Sequence, residues 1–274
     1  MLAQMQTKVF AITAAIVLIL AIGIGHATAK GRIDISPRRI VMEPRDRNSE
    51  FTLINMSDEE GTFRVKIVYY KQDENGTYTK LDAPLTPVFD AEQIIRLSPR
   101  QFTLPADGRQ KVRFSIRKPA DLPDGEYRFH LLATRMSEYG PPTPVDEGEK
   151  VVGMNMNIST AIPVIVRHGN VSVTTTLSDA SYVAANNEGK PEVKVTINRE
   201  GNISTVGVMR AYWTPAGGST VEIGHVTNMN VFPEISKRFA TIPLEAPLQG
   251  SGSLQIVYIN EQTMDAYAET TLQH

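Results

Sequence analysis

The 274-residue chain carries 28 basic and 30 acidic residues, a net charge of −2, with 41% hydrophobic residues and no cysteine. A nucleic-acid-binding protein carries a basic excess that is missing here. The absence of thiols excludes disulfide frameworks, thiolate metal sites and thiol catalysis.

Residues 1–29 contain Lys8, the apolar run "VFAITAAIVLILAIGIG" and the ending "HATA". This is the layout of a secretory signal peptide, with Ala27-Thr28-Ala29 as the small-x-small site and cleavage before Lys30. An uncleaved anchor is the alternative, since about 17 apolar residues nearly span a bilayer. Cleavage removes one base and shifts the net charge to −3. An exported chain without cysteine is stabilised by packed cores alone, which requires domains of ordinary size. Five N-x-[ST] sequons occur, at Asn55, Asn75, Asn157, Asn170 and Asn202. They are read as chance matches, and the setting as a bacterial periplasm.

Strand signals then recur at the spacing of an all-β sandwich. The first series is "GRIDISPRRIVM", "EFTLINMS", "GTFRVKIVYYKQ", "QIIRLSPRQFTL", "RQKVRFSIRK", "GEYRFHLLATRM" and a long strand from Val151 to Arg167. "DAEQIIRL" supplies at most a short turn of helix. The segment at 137–149, "SEYGPPTPVDEGE", holds three prolines, two glycines and four acids, which predicts a mobile loop. After "RHGN" a second series follows: "VSVTTTLSD", "PEVKVTINRE", "VGVMRAYWT", "VEIGHVT", "KRFATIPLE", "SLQIVYINE" and "DAYAETTLQ". The expected fold is all-β, two immunoglobulin-like sandwiches, one over residues 30–168 and the other over 169–274.

The long strand poses a physical problem. Val152, Met154, Met156 and Ile158 alternate with Gly153, Asn155, Asn157 and Ser159, and the apolar series resumes at Ile162, Val164 and Val166. Period-2 alternation means one buried face. A strand of this length would extend about 55 Å, whereas an ordinary one has about 5–6 residues. Its first half has nothing in its own domain to lie against.

Enzymatic and metal-site patterns are absent from the sequence. There is no H-E-x-x-H, no H-x3-H, no G-x-S-x-G and no phosphate-binding glycine loop. His130, in a predicted strand, is read as a packed or surface histidine. The expectation is a non-enzymatic protein without cofactor or metal.

Four stretches carry a resemblance. "KVRFSIRKPADLPDGEYRFHLLA" (Lys111–Ala133) has an arginine, a short gap, Pro, "LP" and a glutamate opening the next strand. "SPRRIVMEP" looks like a first strand, the alternating strand ending "VRHG" like a G1 strand, and "VYINEQ" like a late second-domain strand. Together these resemble the periplasmic pilus-assembly chaperones, the PapD-like family. The resemblance implies two Ig-like domains at an angle with a cleft between them. It also implies that the protein captures pilin subunits and delivers them to an outer-membrane usher, needing neither ATP nor metal.

By the same resemblance, Val152, Met154, Met156 and Ile158 are the donor residues that fill an incomplete pilin, a case of β-augmentation. Each would contribute about 1.5–3 kcal/mol before ordering costs. Methionine suits a donor that accepts several subunits, because it adapts to irregular pockets. Arg39 corresponds to the arginine that anchors the subunit's C-terminal carboxylate, a task for which a guanidinium fork is well shaped. The family's second anchor, a lysine on G1, falls at Pro163, so Arg167 is the substitute candidate. Arg113 and Glu126 correspond to an internal ionic pair, with Glu261 reaching across from the second domain. The free donor strand would also favour self-association. An exported two-domain adhesin and a coat-assembly protein are the alternative readings.

Overall fold

The structure, a computed structural model, describes residues 32–136 and 158–274. The expected signal peptide, the loop at 137–149 and the donor residues Val152, Met154 and Met156 lie outside them. Among the described residues, seventeen strands and one short helix form two β-sandwiches.

The first sandwich comprises β1 (Ile33–Ser36), β2 (Ile40–Met42), β3 (Asn48–Asn55), β4 (Gly61–Gln72), β5 (Tyr78–Leu81), α1 (Ala91–Ile94), β6 (Ile95–Ser98), β7 (Gln101–Leu104), β8 (Arg109–Ile116), β9 (Gly125–Arg135) and β10 (Ser159–His168). One sheet runs β1-β3-β8-β6; the other runs β2-β10-β9-β4-β5, with β7 also on β4. Alternation along each strand turns Phe51, Leu53, Val112 and Phe114 of the first sheet onto Phe63, Val65, Phe129 and Leu131 of the second. Phe114 meets Phe129 edge to face across the two layers, ring centroids 6.4 Å apart. Asp90 caps α1 by accepting from the backbone N–H of Glu92 and also takes the Tyr69 hydroxyl.

Two of the expected first-half strands divide in the structure, for one reason. "GRIDISPRRIVM" and "QIIRLSPRQFTL" each contain Ser-Pro-Arg, and each divides at that point into two strands. A proline has no N–H to give a ladder, so β1 and β2 join opposite sheets, as do β6 and β7. Both Ser-Pro bonds, at Pro37 and Pro99, are cis. Strand β5 carried too little apolar pattern to be foreseen: its four residues are mostly exposed.

The second sandwich pairs β11 (Val173–Val183), β12 (Glu192–Gly201) and β15 (Lys237–Pro243) in one sheet. The other sheet orders β14 (Val221–Val231), β13 (Thr205–Pro215), β16 (Gly252–Asn260) and β17 (Ala266–Gln273). Its core gathers Val193, Ile197, Met209, Trp213, Ile256 and Tyr258. The Tyr258 hydroxyl, buried there, donates to the Met229 carbonyl.

The two cores share no residue. Between them the chain turns at Gly169, whose φ of +65° suits glycine. A Cβ at this position would lie 1.5 Å from Asp124 Oδ1. The same corner is tied by Asn202, whose carbonyl accepts from the backbone N–H of Glu126 and whose Nδ2 donates to the Asn170 carbonyl. Gly169→Ala should therefore cost about 1–3 kcal/mol, read as a lowered urea midpoint. An unchanged midpoint would mean that the corner tolerates a side chain.

Candidate functional site

Strand β9 is buried on both faces. Tyr127, Phe129, Leu131 and Ala133 enter the first core, while the alternate residues Glu126, Arg128 and His130 face the second sandwich. Pairing extends this face sideways: Arg167 lies level with Glu126, Ile165 with Arg128 and Pro163 with His130. Ile165 is 1% exposed although it points away from the first core.

Arg128 is the centre of the contact. Its guanidinium forms an ion pair with Glu234 of the second sandwich, donates to the Tyr70 carbonyl at 3.0 Å and lies 3.5 Å from the Phe232 ring centroid. Glu234 also accepts from the backbone N–H of Gln72. The pair is buried, with side-chain exposures of 4% and 12%. Two further groups lie on either side of it. His130 packs edge-on to Tyr70 at 4.9 Å, and burial together with the Arg128 charge pushes its imidazole down to about 3. Glu126 accepts from the hydroxyl and backbone N–H of Ser204 and has Arg167 Nε at 3.7 Å. Burial pushes the Glu126 carboxyl upward, against the opposing pull of Ser204 and Arg167. A cleft of about 260 Å3 opens beside this cluster, lined by Phe89, Glu126, Arg128, Pro233 and Glu234.

At the other end, Arg39 reaches across the same interface. Its Nη1 lies 3.1 Å from Glu261 Oε2, and its Nη2 donates to Asn230 Oδ1 at 3.4 Å. The register explains its position. Strand β2 pairs β10 in parallel from Ile40↔Val164 to Met42↔Val166, so Arg39 and Pro163 stand level, one residue before that ladder begins. Strand β10 pairs β9 over all ten of its residues. Between Ser159 and Pro163 its opposite edge has no ladder partner among the described residues, and a single hydrogen bond, from the Thr160 hydroxyl to the Ile33 carbonyl, bridges it to β1. Ile158, half-buried, continues the β9 pairing by accepting from the backbone N–H of Arg135.

The expected ionic residues are partly redistributed. Glu261 and Arg39 meet, and so do Arg167 and Glu126; Arg167 is also held by Glu43 at 2.9 Å. Arg113 does not pair with Glu126. It alternates with Val112 and Phe114, so it points outward from β8 and pairs with Glu50 at 3.3 Å, while Glu126 lies on the opposite sheet and faces the second domain. Arg128, Ser204, Phe232 and Glu234 were not singled out from the sequence, and His130 was read there only as a packed or surface histidine. Glu126, Arg128 and His130 at alternate positions of one strand were the available signal. Among the described residues no three His, Asp or Glu side chains converge as a metal site.

No protein-family description matches the chain, and neither does any curated protein. Among solved structures it is similar to the class 5 fimbriae chaperone CfaA (14% identity, covering 88% of this chain and 98% of that one, TM-score 0.46). It is also similar to the CsuC–CsuE chaperone–tip adhesion subunit complex of Acinetobacter baumannii (12%, 89% and 98%, 0.44). A third is the Salmonella enterica SafA pilin in complex with the SafB chaperone (15%, 90% and 99%, 0.43). At such distances no residue's role carries over.

Two outcomes follow from the interface. Removing one charge strands the other, so Arg128→Ala should cost about 3–5 kcal/mol, whereas Arg128→Met with Glu234→Leu should be close to neutral. Urea unfolding of the three proteins checks this. For His130, the folded state excludes a proton that the unfolded chain takes up near pH 6.5. Its contribution is therefore full above pH 6.5 and is lost as the pH falls toward about 3. Wild type should lose about 2 kcal/mol between pH 7 and pH 5 that His130→Phe retains, measured as the difference between their stability–pH curves.

Proposed function

We propose that this chain is an exported, non-enzymatic chaperone of fimbrial subunits that works by donating an edge strand. The observation that carries the reading is the half-open strand β10. From Ser159 to Pro163 its outer edge has no ladder partner among the described residues, and an extended segment completes such an edge by main-chain hydrogen bonds. The alternating side chains of Val152, Met154, Met156 and Ile158 precede that edge in sequence. In this reading they fill the groove of the incomplete subunit.

Arg39 stands at the closed end of the open edge, level with Pro163. A subunit chain laid along β10 ends with its terminal carboxylate at this guanidinium. Arg39 already grips one carboxylate, that of Glu261, which supports the chemistry and assigns Glu261 as the group that the subunit displaces. Arg167, held by Glu43 and Glu126, takes a structural part at the domain junction instead of the role of second anchor. Proline at 163 leaves the anchor to Arg39.

The division at residues 168–169, export by residues 1–29 to the periplasm, delivery to an outer-membrane usher and self-association of the free donor strand all belong to this proposal. Co-expression with a fimbrial subunit tests it. Met154→Asp with Met156→Asp should abolish co-purification of the subunit while the purified chaperone keeps its unfolding midpoint. Arg39→Ala should reduce capture about tenfold or more, the consequence of leaving a desolvated carboxylate unpaired. Undiminished capture by the methionine variant would refute strand donation.

A further inference from the structure

Apart from the Arg113–Glu50 pair, the solvent face of the sheet β1-β3-β8-β6 has no part in the contacts described so far. On β8, Val112, Phe114 and Ile116 enter the core, so Arg109, Lys111 and Arg113 all project outward. Residues two apart on one strand face rise about 6.6–6.8 Å, so three cations form a ladder of roughly 13 Å. The neighbouring strand widens it: Arg96 of β6 stands opposite Ser115, and Ser98 opposite Arg113. Arg96, Arg100 and Arg113 line one cleft of about 790 Å3 with Ser49, Ser98 and Ser115 among them.

Beside these cations lies Glu50, which stands opposite Arg113 in the β3–β8 register. Lys111 Nζ contacts it at 2.7 Å and Arg113 Nε at 3.3 Å. The two bases hold its carboxyl below the usual carboxylate range. Glu50 thus shows how this face grips a carboxylate. No carboxylate pairs with Arg96, Arg100 or Arg109 among the described residues.

We propose that this face docks an extended acidic segment of a partner protein whose carboxylates recur at alternate residues, in step with Arg109, Lys111 and Arg113. Charge complementarity selects the class of partner. The chain as a whole carries a small net negative charge, so its overall charge does not draw it to an extended anionic bilayer. A short acidic strand within a Debye length of about 8 Å interacts with the local cations alone. Guanidinium forks match planar carboxylates, and the intervening serine hydroxyls supply further donors. The surface lies on the opposite layer from β10, so a segment docked here leaves the proposed donor edge free.

Fluorescence anisotropy of the full mature chain with two labelled octapeptides of equal charge tests the register. One alternates Glu and Ser; the other has four Glu followed by four Ser. The alternating peptide should bind several-fold more tightly, and Arg109→Gln with Arg113→Gln should weaken it about tenfold. Glu50→Gln, which removes the internal competitor, should strengthen it. Equal affinity for both peptides, or binding untouched by the double substitution, would overturn the proposal. So would binding to phosphatidylglycerol vesicles without binding to the peptides.

Discussion

The arrangement of the two sandwiches depends on a charge that is kept out of water. Arg128 and Glu234 come from different domains, and each is desolvated by the other's domain. Burying such a pair contributes little net stability compared with an apolar pair of the same volume. Its consequence here is orientational. Any other docking of the domains leaves a guanidinium and a carboxylate without partners, at a cost of several kcal/mol. The Phe232 ring beneath the guanidinium and the Tyr70 carbonyl beside it narrow the geometry further.

This constraint acts at a distance along the same face. With β9 fixed against the second domain, Glu126 finds Ser204, and Arg39, two strands away, comes within 3.1 Å of Glu261. The tip of the β4–β5 hairpin closes the opposite side: the Glu74 carbonyl accepts from the backbone N–H of Phe239, and Gly76, at φ +85°, leaves room for the Arg238 guanidinium. The open edge of β10 therefore sits on a rigid base with a guanidinium at its end. Unpaired edges are normally a hazard for aggregation. Here proline at 163, which lacks an N–H, stands where the open edge meets the β2 ladder.

Much of the strand order was legible because period-2 alternation is a local property. Phe51, Leu53, Val112 and Phe114 reveal their inward face without knowledge of any partner. The breaks at Pro37 and Pro99 were less legible: the apolar pattern resumes after each proline, and only the pairing shows that the chain has changed sheets. The interdomain residues were hidden for a different reason. Arg128 and His130 lie on the second face of a strand, and whether that face meets solvent or another domain is a long-range fact. Arg113 shows the converse. Its position resembled that of a partner of Glu126, yet the alternation of β8 already placed it on the outer surface.

In the proposed mechanism, the first half of β10, whose outer edge has no ladder partner among the described residues, receives a strand from the subunit. Hydrogen–deuterium exchange of residues 159–162, in the free protein and after co-expression with a fimbrial subunit, is the decisive measurement. The outward-facing amides should exchange fast in the free protein and be strongly protected in the complex. Protection already present in the free protein, or none gained on binding, would contradict the mechanism.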